Sequence, residues 1–191
     1  MGKLRRIAVF CGSSLGADEK FIDAAKSLGI EMAKRGIGLV YGGGNKGIMG
    51  IVVHSVFDNG GEVIGVLPEA MNVPQVTDNS AHSKLIIVKN MHERKELMYS
   101  LSVGFIALPG GIGTIEEITE IYTWRQLGYH KKNIGLLNAA GFWDSFLSQM
   151  DRCVEMGFLS KEARAILLES SDPNSILDML EEDSEELPSK L

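Results

Sequence analysis

The fold is decided by residues 103–114, which read VGFIALPGGIGT. An apolar run over residues 103–108 enters a turn rich in proline and glycine, and the turn leads into a segment with helical spacing. Uninterrupted apolar runs of this length are typical of strands buried on both faces of a parallel sheet. Glycine lets backbone N–H groups in such a turn approach an anion closely at the start of the following helix. The stretch therefore predicts a strand, a ligand-binding turn and a helix.

Similar units recur along the chain. Amphipathic stretches of helical length, one of them beginning near Asp18, separate further short apolar runs. This alternation predicts a single α/β domain with a Rossmann-like, doubly wound parallel sheet that binds ligands at the carboxyl ends of its strands. The other predicted strands are residues 7–10, 38–41, 63–67, 85–88 and 134–137, and later helices are predicted over residues 142–155, 161–168 and 174–180.

Length and charge define the domain organisation. The chain has 191 residues, 23% of them charged, and a mean hydropathy of +0.05. A chain of this length can bury one core without disulfides or metals. We predict one domain over residues 1–180 and a disordered acidic tail over residues 181–191. The tail has five acidic residues and one lysine, so it contributes −4 to the formal net charge of −6.

The same composition disfavours several classes of partner. A pI near 5.3 argues against a nucleic-acid partner, which usually requires a basic surface. A membrane span is not expected, because the longest uncharged stretch, residues 97–115, contains Pro109, Gly110 and Gly111. Cys11 and Cys153 lie far apart and lack the spacing of a zinc site, which predicts no metal and a reducing, cytoplasmic location.

Three predicted strands end in turns of glycine and serine, and these turns are the main functional signal. The first turn contains Gly12 and Ser13, the second contains Gly43 and Gly44, and the third follows residue 108. Turns at the carboxyl ends of parallel strands share one edge of the sheet, where helix N-termini attract phosphate groups. Such turns can also need glycine for conformational reasons alone, but the three together favour a phosphate-bearing ligand.

The second turn invites two cofactor interpretations. It matches the dinucleotide-binding spacing G-x-G-x-x-G through Gly42, Gly44 and Gly47. An NAD site also needs an acidic residue at the end of the next strand, whereas Glu62 precedes that strand. A P-loop is excluded, because Lys46 precedes its glycine and no Gly-Lys-Ser/Thr occurs.

Charged pairs stand at the start of two predicted helices. Arg94 and Lys95 follow the fourth strand, where cations oppose the helix dipole, and this favours an anionic ligand as their partner. Glu116 and Glu117 follow the third turn. Adjacent helical residues point about 100° apart, so only one of these carboxylates is expected to face a ligand. The alternative for either is stabilisation of the helix dipole.

The chain contains, in this order, FCGSS at residues 10–14, YGGG at 41–44, GIMG at 47–50, MHERK at 91–95 and PGGIGTIEE at 109–117. Together these segments resemble the LOG ("lonely guy") family, the cytokinin riboside 5′-monophosphate phosphoribohydrolases, whose relatives often carry the label lysine decarboxylase-like. The resemblance covers residues 7–180. It implies a homodimer that hydrolyses the N-glycosidic bond of AMP or N6-prenyl-AMP, releasing the base and ribose 5-phosphate without a metal or organic cofactor.

The resemblance also implies roles for individual residues. Arg94 and Glu117 match the family's catalytic arginine and glutamate. One departure concerns the base: relatives tend to have Pro-Arg-Glu before Met91, and this chain has Pro74-Gln75-Val76. Substrate-binding positions implied by the resemblance or by the turns are Lys95, Gly110, Gly111, Ile112, Gly113, Thr114, Ile115, Glu116, Thr123, Gly12, Ser13, Gly43 and Gly44.

The reaction suggests how the two matching residues would act. Breaking a ribosyl C–N bond develops positive charge on the sugar and negative charge on the leaving base. By analogy with glycoside hydrolysis, Glu117 would stabilise the sugar cation and activate water. Arg94 would stabilise the departing base or the phosphate, because a guanidinium remains protonated and is a poor general acid.

Other functions rank below hydrolysis. A nucleotide or molybdenum-cofactor carrier or sensor would use the same turns without cleavage, but the joint presence of Arg94 and Glu117 favours the enzyme. Lysine decarboxylation is least favoured, because the chain is too short for the usual pyridoxal-phosphate domain. The resemblance further implies a dimer interface on the helix that carries Tyr122, Trp124 and Leu127.

Overall fold

The computed structural model describes residues 6–73, 76 and 81–182. In this part of the chain a seven-stranded, entirely parallel sheet has the order β4-β3-β2-β1-β5-β6-β7. The strands are β1 (Arg6–Phe10), β2 (Gly38–Tyr41), β3 (Val63–Pro68), β4 (Lys84–Val88), β5 (Gly104–Ala107), β6 (Asn133–Leu137) and β7 (Leu167–Ser170). The helices are α1 (Glu19–Arg35), α2 (Gly47–Phe57), α3 (Met91–Leu101), α4 (Ile112–Gln126), α5 (Asp144–Glu155), α6 (Lys161–Ala165) and α7 (Pro173–Glu181), with 3₁₀ turns at Glu69–Met71 and Ala139–Gly141.

The sheet separates two hydrophobic cores. Successive residues of a strand point to opposite faces, so Ile7 and Val9 of β1 join one core while Ala8 and Phe10 join the other. Helices α1, α2 and α7 cover the first face. Helices α3, α4 and α5 cover the second, where Trp143 is fully buried. Burial on both faces explains why the strands read as unbroken apolar runs.

The strand order reverses between β1 and β5. From β1 the chain builds outward to β4, and α3 then returns it across the sheet to β5, which pairs with β1. Ligands of open α/β sheets bind at such a switch point, outside the carboxyl ends of the strands. The predicted turns after β1 and β5 are therefore neighbours at the favoured position.

The predicted fold class is confirmed, and all six predicted strands are present. The helix predicted over residues 161–168 is wrong in its second half, because α6 ends at Ala165 and Leu167 begins β7. Leu167 to Ser170 pair with β6 at the sheet edge, a tertiary contact that local periodicity does not reveal.

Residues 183–191 of the predicted tail lie outside the described residues. Within the described ranges, no helix has the length and apolar content needed to cross a bilayer.

Candidate active site

The turns after β1 and β5 are joined by their backbones. Gly12 N–H donates to the Pro109 carbonyl at 3.1 Å, and Leu108 N–H donates to the Phe10 carbonyl at 2.9 Å. The second turn reaches the same edge, since Met49 N–H donates to the Gly12 carbonyl at 3.2 Å. The prediction that the three turns share one edge of the sheet is confirmed.

A cavity of about 330 Å³ opens between the first and third turns. Its polar lining includes the backbone of Gly12, Gly110 and Gly111 and of Ser13, which also has a hydroxyl group. Across the cavity stand apolar side chains, including Phe21 of α1 and Phe142, whose rings meet edge to face at 5.7 Å. A space with N–H-bearing turns on one side and aromatic rings on the other suits a ligand with a phosphate and an apolar portion.

Helix α4 begins directly at the third turn. Gly111 is its N-cap residue and has no side chain, so it makes no side-chain cap to the first N–H groups of α4. Ile112 and Gly113 are exposed, Ile115 is half-buried, and Thr114 is buried against Gly110. A Cβ at Gly110 would overlap with the Thr114 hydroxyl, which explains the glycine at this position.

Arg94 and Glu117 form a nearly buried ion pair. Arg94 Nη1 donates to Glu117 Oε1 at 2.6 Å, and the side chains are 10% and 12% exposed. Arg94 Nε also donates to the carbonyl of Val66 in β3, at 3.3 Å, and Nη1 contacts Met91 Sδ at 3.4 Å. Helices α3 and α4 thus bring the two residues together, although 23 positions separate them in the chain.

Lys95, which follows Arg94, is paired with two carboxylates of α4 that are more exposed than Glu117. Lys95 Nζ donates to Glu116 Oε1 at 2.5 Å and to Glu120 Oε1 at 2.9 Å. The adjacent carboxylates therefore face different partners, as the 100° spacing predicts. Thr123 lies further along α4 on an exposed position, where its hydroxyl donates to the Thr119 carbonyl at 2.7 Å.

The position of Arg94 and Lys95, which favours an anionic ligand as their partner, has a second explanation in the structure, and the anionic ligand stays a prediction. Both cations are paired with carboxylates of α4. Asn90 caps α3, so Arg94 and Lys95 follow its first turn, beyond the region where the helix dipole acts most strongly.

Electrostatics make Glu117 an unusual carboxyl group. Burial raises the pKa of Glu117 above its ordinary value, while the charge and hydrogen bond of Arg94 oppose that rise. The nearby Cys11 thiol is buried behind the pair, and its pKa is raised by burial and by the Glu117 charge. A buried carboxylate paired with a fixed cation is a frequent arrangement at catalytic centres.

The glycines of the second turn are approached by protein atoms. Gly43 has φ +80°, and a Cβ there would lie 2.8 Å from Leu67 Cβ. A Cβ on Gly44 would lie 3.2 Å from Met49 Sδ. The contacts of Gly43 and Gly44 with substrate therefore stay predictions.

No cluster of three or more His, Cys, Asp or Glu side chains suited to a metal occurs among residues 6–73, 76 and 81–182.

Sequence comparison assigns the chain to a family. A family model described as "Possible lysine decarboxylase" matches residues 49–180. The cytokinin riboside 5′-monophosphate phosphoribohydrolase LOG of Oryza sativa subsp. japonica is 47% identical over 180 residues, which cover 94% of this chain and 74% of that protein. LOG3 of Arabidopsis thaliana, which bears the same enzyme name, is 46% identical over 94% of this chain and 83% of its own. The chain belongs to the LOG family.

Solved structures extend the likeness of this LOG-family chain at the level of the fold. The molybdenum cofactor binding protein of Rippkaea orientalis gives a TM-score of 0.69 at 23% identity, covering 92% of this chain and 94% of that one. The molybdenum cofactor carrier protein of Chlamydomonas reinhardtii gives 0.67 at 21% identity, covering 92% and 97%. At such identities the likeness concerns the fold alone.

The structure adds site features that the LOG-family motifs do not indicate. The Val66 carbonyl accepts a hydrogen bond from Arg94 Nε, and this contact depends on how α3 packs over β3. Pro74 and Gln75, where the chain departs from the family pattern, lie outside the described residues. Tyr122 was expected at a dimer interface, but it lies in the core of its own chain and donates to the Ala163 carbonyl at 2.8 Å.

Proposed function

We propose that this protein hydrolyses the N-glycosidic bond of adenosine-type nucleoside 5′-monophosphates, releasing the free base and ribose 5-phosphate. The identity of 44–47% to phosphoribohydrolases over 94% of the chain supports the reaction class. N6-prenylated AMP is the substrate class that the names of these relatives suggest, and its product would be an active cytokinin base.

One structural observation carries the proposal. The buried Arg94–Glu117 pair is beside the switch point of the sheet, on the helices that follow β4 and the third turn. A carboxylate and a fixed cation at 2.6 Å offer both signs of charge that the transition state of C–N cleavage requires.

In the proposed mechanism, Glu117 acts at the anomeric carbon. Its carboxylate stabilises the oxocarbenium-like sugar and accepts a proton from the attacking water. The C–N bonding electrons leave with the base, which takes up a proton from solvent, and Glu117 returns the proton of the attacking water to solvent. Arg94 stabilises the negative charge that develops on the base or the phosphate, because its guanidinium is permanently charged.

The turns would hold the phosphate. The Gly110–Thr114 segment and the start of α4 supply backbone N–H groups, with Gly12 and Ser13 on the facing turn. Binding energy from this remote group would position the scissile bond against Glu117. Glu116 and Thr123 lie on α4, and Lys95 of α3 is paired with Glu116, so we place the remaining substrate contacts along this part of the two helices.

A comparison of nucleotides with nucleosides tests the proposal. The protein is incubated with AMP, isopentenyl-AMP and the corresponding nucleosides, and the products are separated by chromatography. We expect base release from at least one monophosphate and a far lower kcat/KM for its nucleoside, since the nucleoside lacks the phosphate anchor. Tight binding of the monophosphates without cleavage would instead identify a carrier or sensor.

A homodimer and a cytoplasmic location also remain proposals. Trp124 and Tyr129 line an open cavity of about 540 Å³ between α3 and α4, together with Tyr99 and Lys95. Tyr129 is 66% exposed, and aromatic residues are enriched at protein interfaces. Light scattering coupled to size-exclusion chromatography measures the molar mass, and a value near 20.8 kDa, that of one chain, would contradict the dimer.

A further inference from the structure

The first glycine of the second turn has a neighbour that a phosphate-binding role does not explain. Gly42 directly follows β2 and begins the turn, and a Cβ built on it would overlap with Arg94 Nη2 and lie 3.0 Å from Arg94 Cζ. The guanidinium therefore occupies the space in which any other residue would place its side chain.

The backbone at Gly42 does not itself require glycine. Eight glycines of the described chain have positive φ, and Gly42 is not among them, whereas the adjacent Gly43 is at +80°. An alanine at position 42 would be compatible with the local backbone conformation. Glycine is therefore needed at position 42 because a larger residue would overlap with the Arg94 guanidinium.

Arg94 cannot leave this space without losing its other contacts. The side chain is 10% exposed and donates to the Val66 carbonyl and to Glu117 Oε1. A surface arginine would swing away from an added methyl group at little cost. Here the Val66 contact fixes Nε from one side, so a displaced guanidinium moves relative to Glu117.

We propose that Gly42 is a positioning residue for Arg94. Because glycine has no side chain, the guanidinium can pack directly against the backbone that follows β2, and there it pairs with Glu117. The inference rests on the proposed hydrolase function, in which Arg94 is catalytic. It assigns the first glycine of the Gly42-Gly43-Gly44 turn to the protein's own arginine.

The proposal predicts how a single methyl group would affect turnover. Gly42→Ala should lower kcat at least about tenfold, because misplacing one transition-state contact approaches the roughly 10²-fold effect of removing it. KM should stay near the wild-type value, because the phosphate-binding turns after β1 and β5 are untouched. Gly104→Ala is the matched control, since a Cβ there meets only ordinary contacts of 3.6 and 3.8 Å.

A double-mutant cycle separates this role from a general structural one. Gly42→Ala, Arg94→Ala and the double variant are compared by thermal unfolding and by kcat. If Gly42 acts through Arg94, Gly42→Ala lowers the melting temperature and kcat of the wild type but changes neither in the Arg94→Ala background. Should Gly42→Ala fail to fold, the double variant is expected to fold, because its guanidinium is gone.

Two outcomes would overturn the proposal. The first is an equal loss of stability and turnover from Gly42→Ala in both backgrounds, or a double variant that also fails to fold. The second is a Gly42→Ala enzyme as active as Gly104→Ala. A wild-type protein without hydrolase activity would refute the proposed function instead, and the thermal-unfolding cycle would still test the contact between Gly42 and Arg94.

Discussion

Glu116 and Glu117 are chemically identical neighbours with different environments. The side chain of Glu116 is 53% exposed beside Lys95, and that of Glu117 is 12% exposed beside Arg94. Their spacing on a helix predicts that they diverge, but only the packing of α3 against α4 determines which one becomes buried. From sequence, Glu117 could be chosen only through the family resemblance.

This difference predicts unequal effects of the same substitution. Glu117→Gln should lower kcat by at least about 10²-fold, because it removes the charge that opposes the sugar cation while preserving the shape. Glu116→Gln should act mainly on KM, since its carboxylate lies on the outer ion pair. Steady-state kinetics of both variants, with circular dichroism as a control for folding, measure the contrast. Equal losses of kcat would move the catalytic role away from Glu117.

The pH dependence of the reaction should report the same carboxyl group. Burial raises the pKa of Glu117, with Glu116 adding to the rise and with Arg94 and Lys95 opposing it. The ionised form is the proposed active form, so kcat/KM should fall as the pH decreases through this raised pKa. We expect the acidic limb of the profile at a higher pH than an ordinary glutamate gives, and we expect Glu117→Gln to abolish that limb.

At the scale of elements, the start of α3 matters most for the site. Asn90 Oδ1 accepts from Glu93 N–H at 3.0 Å, and Glu93 Oε2 accepts from Lys89 N–H at 3.0 Å, which closes the first turn from both sides. Arg94 is the next residue. The direction in which its side chain leaves the helix therefore depends on a well-formed N-terminus.

Removing this cap should affect stability and turnover together. Asn90→Ala is expected to cost about 1 kcal/mol of unfolding free energy and to lower kcat, because α3 frays where Arg94 departs. Asp172→Ala removes the N-cap of α7, whose side chain accepts from Ser175 N–H at 2.8 Å, and should cost a similar free energy with kcat unchanged. Urea unfolding and kinetics of both variants make the comparison. A loss of kcat in Asp172→Ala and not in Asn90→Ala would contradict the prediction that the N-cap of α3 supports Arg94.

The elements also show how far sequence reasoning extends. The buried strands and the turns after β1, β2 and β5 could be predicted, because apolar runs and glycines leave local signals. Strand β7 could not, since its four residues carry too short a pattern and are stabilised by pairing with β6. The Val66 carbonyl and the space above Gly42 are likewise products of tertiary packing, and no residue pattern marks them.

At the scale of the whole molecule, acidic pH should destabilise the fold through His130. The ring is buried, Lys132 N–H donates to Nδ1 at 3.1 Å, and Nε2 pairs with the Ile121 carbonyl at 3.0 Å. This geometry fits the neutral ring, because a proton on Nδ1 would point at the hydrogen of the Lys132 N–H group. Burial lowers the pKa of His130 to about 4, and the charges of Lys132 and Arg125 add to the effect.

The sign of the linkage follows from this lowered pKa. Below about pH 6.5 the unfolded chain binds a proton at His130 that the folded state does not, so the free energy of unfolding falls as the pH decreases toward 4. Urea unfolding at several pH values measures the loss, which His130→Gln should remove. His54→Gln, at an exposed position of α2, is the control and should keep the wild-type dependence. An unchanged pH dependence in His130→Gln would contradict the assignment.

The charge of the whole chain is compatible with an anionic substrate. Residues 181–191 carry −4 of the net −6, so residues 1–180 carry only −2. Within that domain α4 begins at the third turn without a side-chain cap, and the cation of Arg94 lies on the neighbouring helix α3. The overall acidity therefore argues against binding a nucleic-acid polymer, and it does not oppose binding of one mononucleotide.

The central claim is that this edge of the sheet hydrolyses a nucleoside monophosphate. The most direct measurement is a mass balance: isopentenyl-AMP is incubated with the wild-type protein, and free base, ribose 5-phosphate and remaining nucleotide are quantified over time. We predict that base and ribose 5-phosphate appear in equal amounts as the nucleotide disappears. Nucleotide that is bound but returned intact would contradict the account.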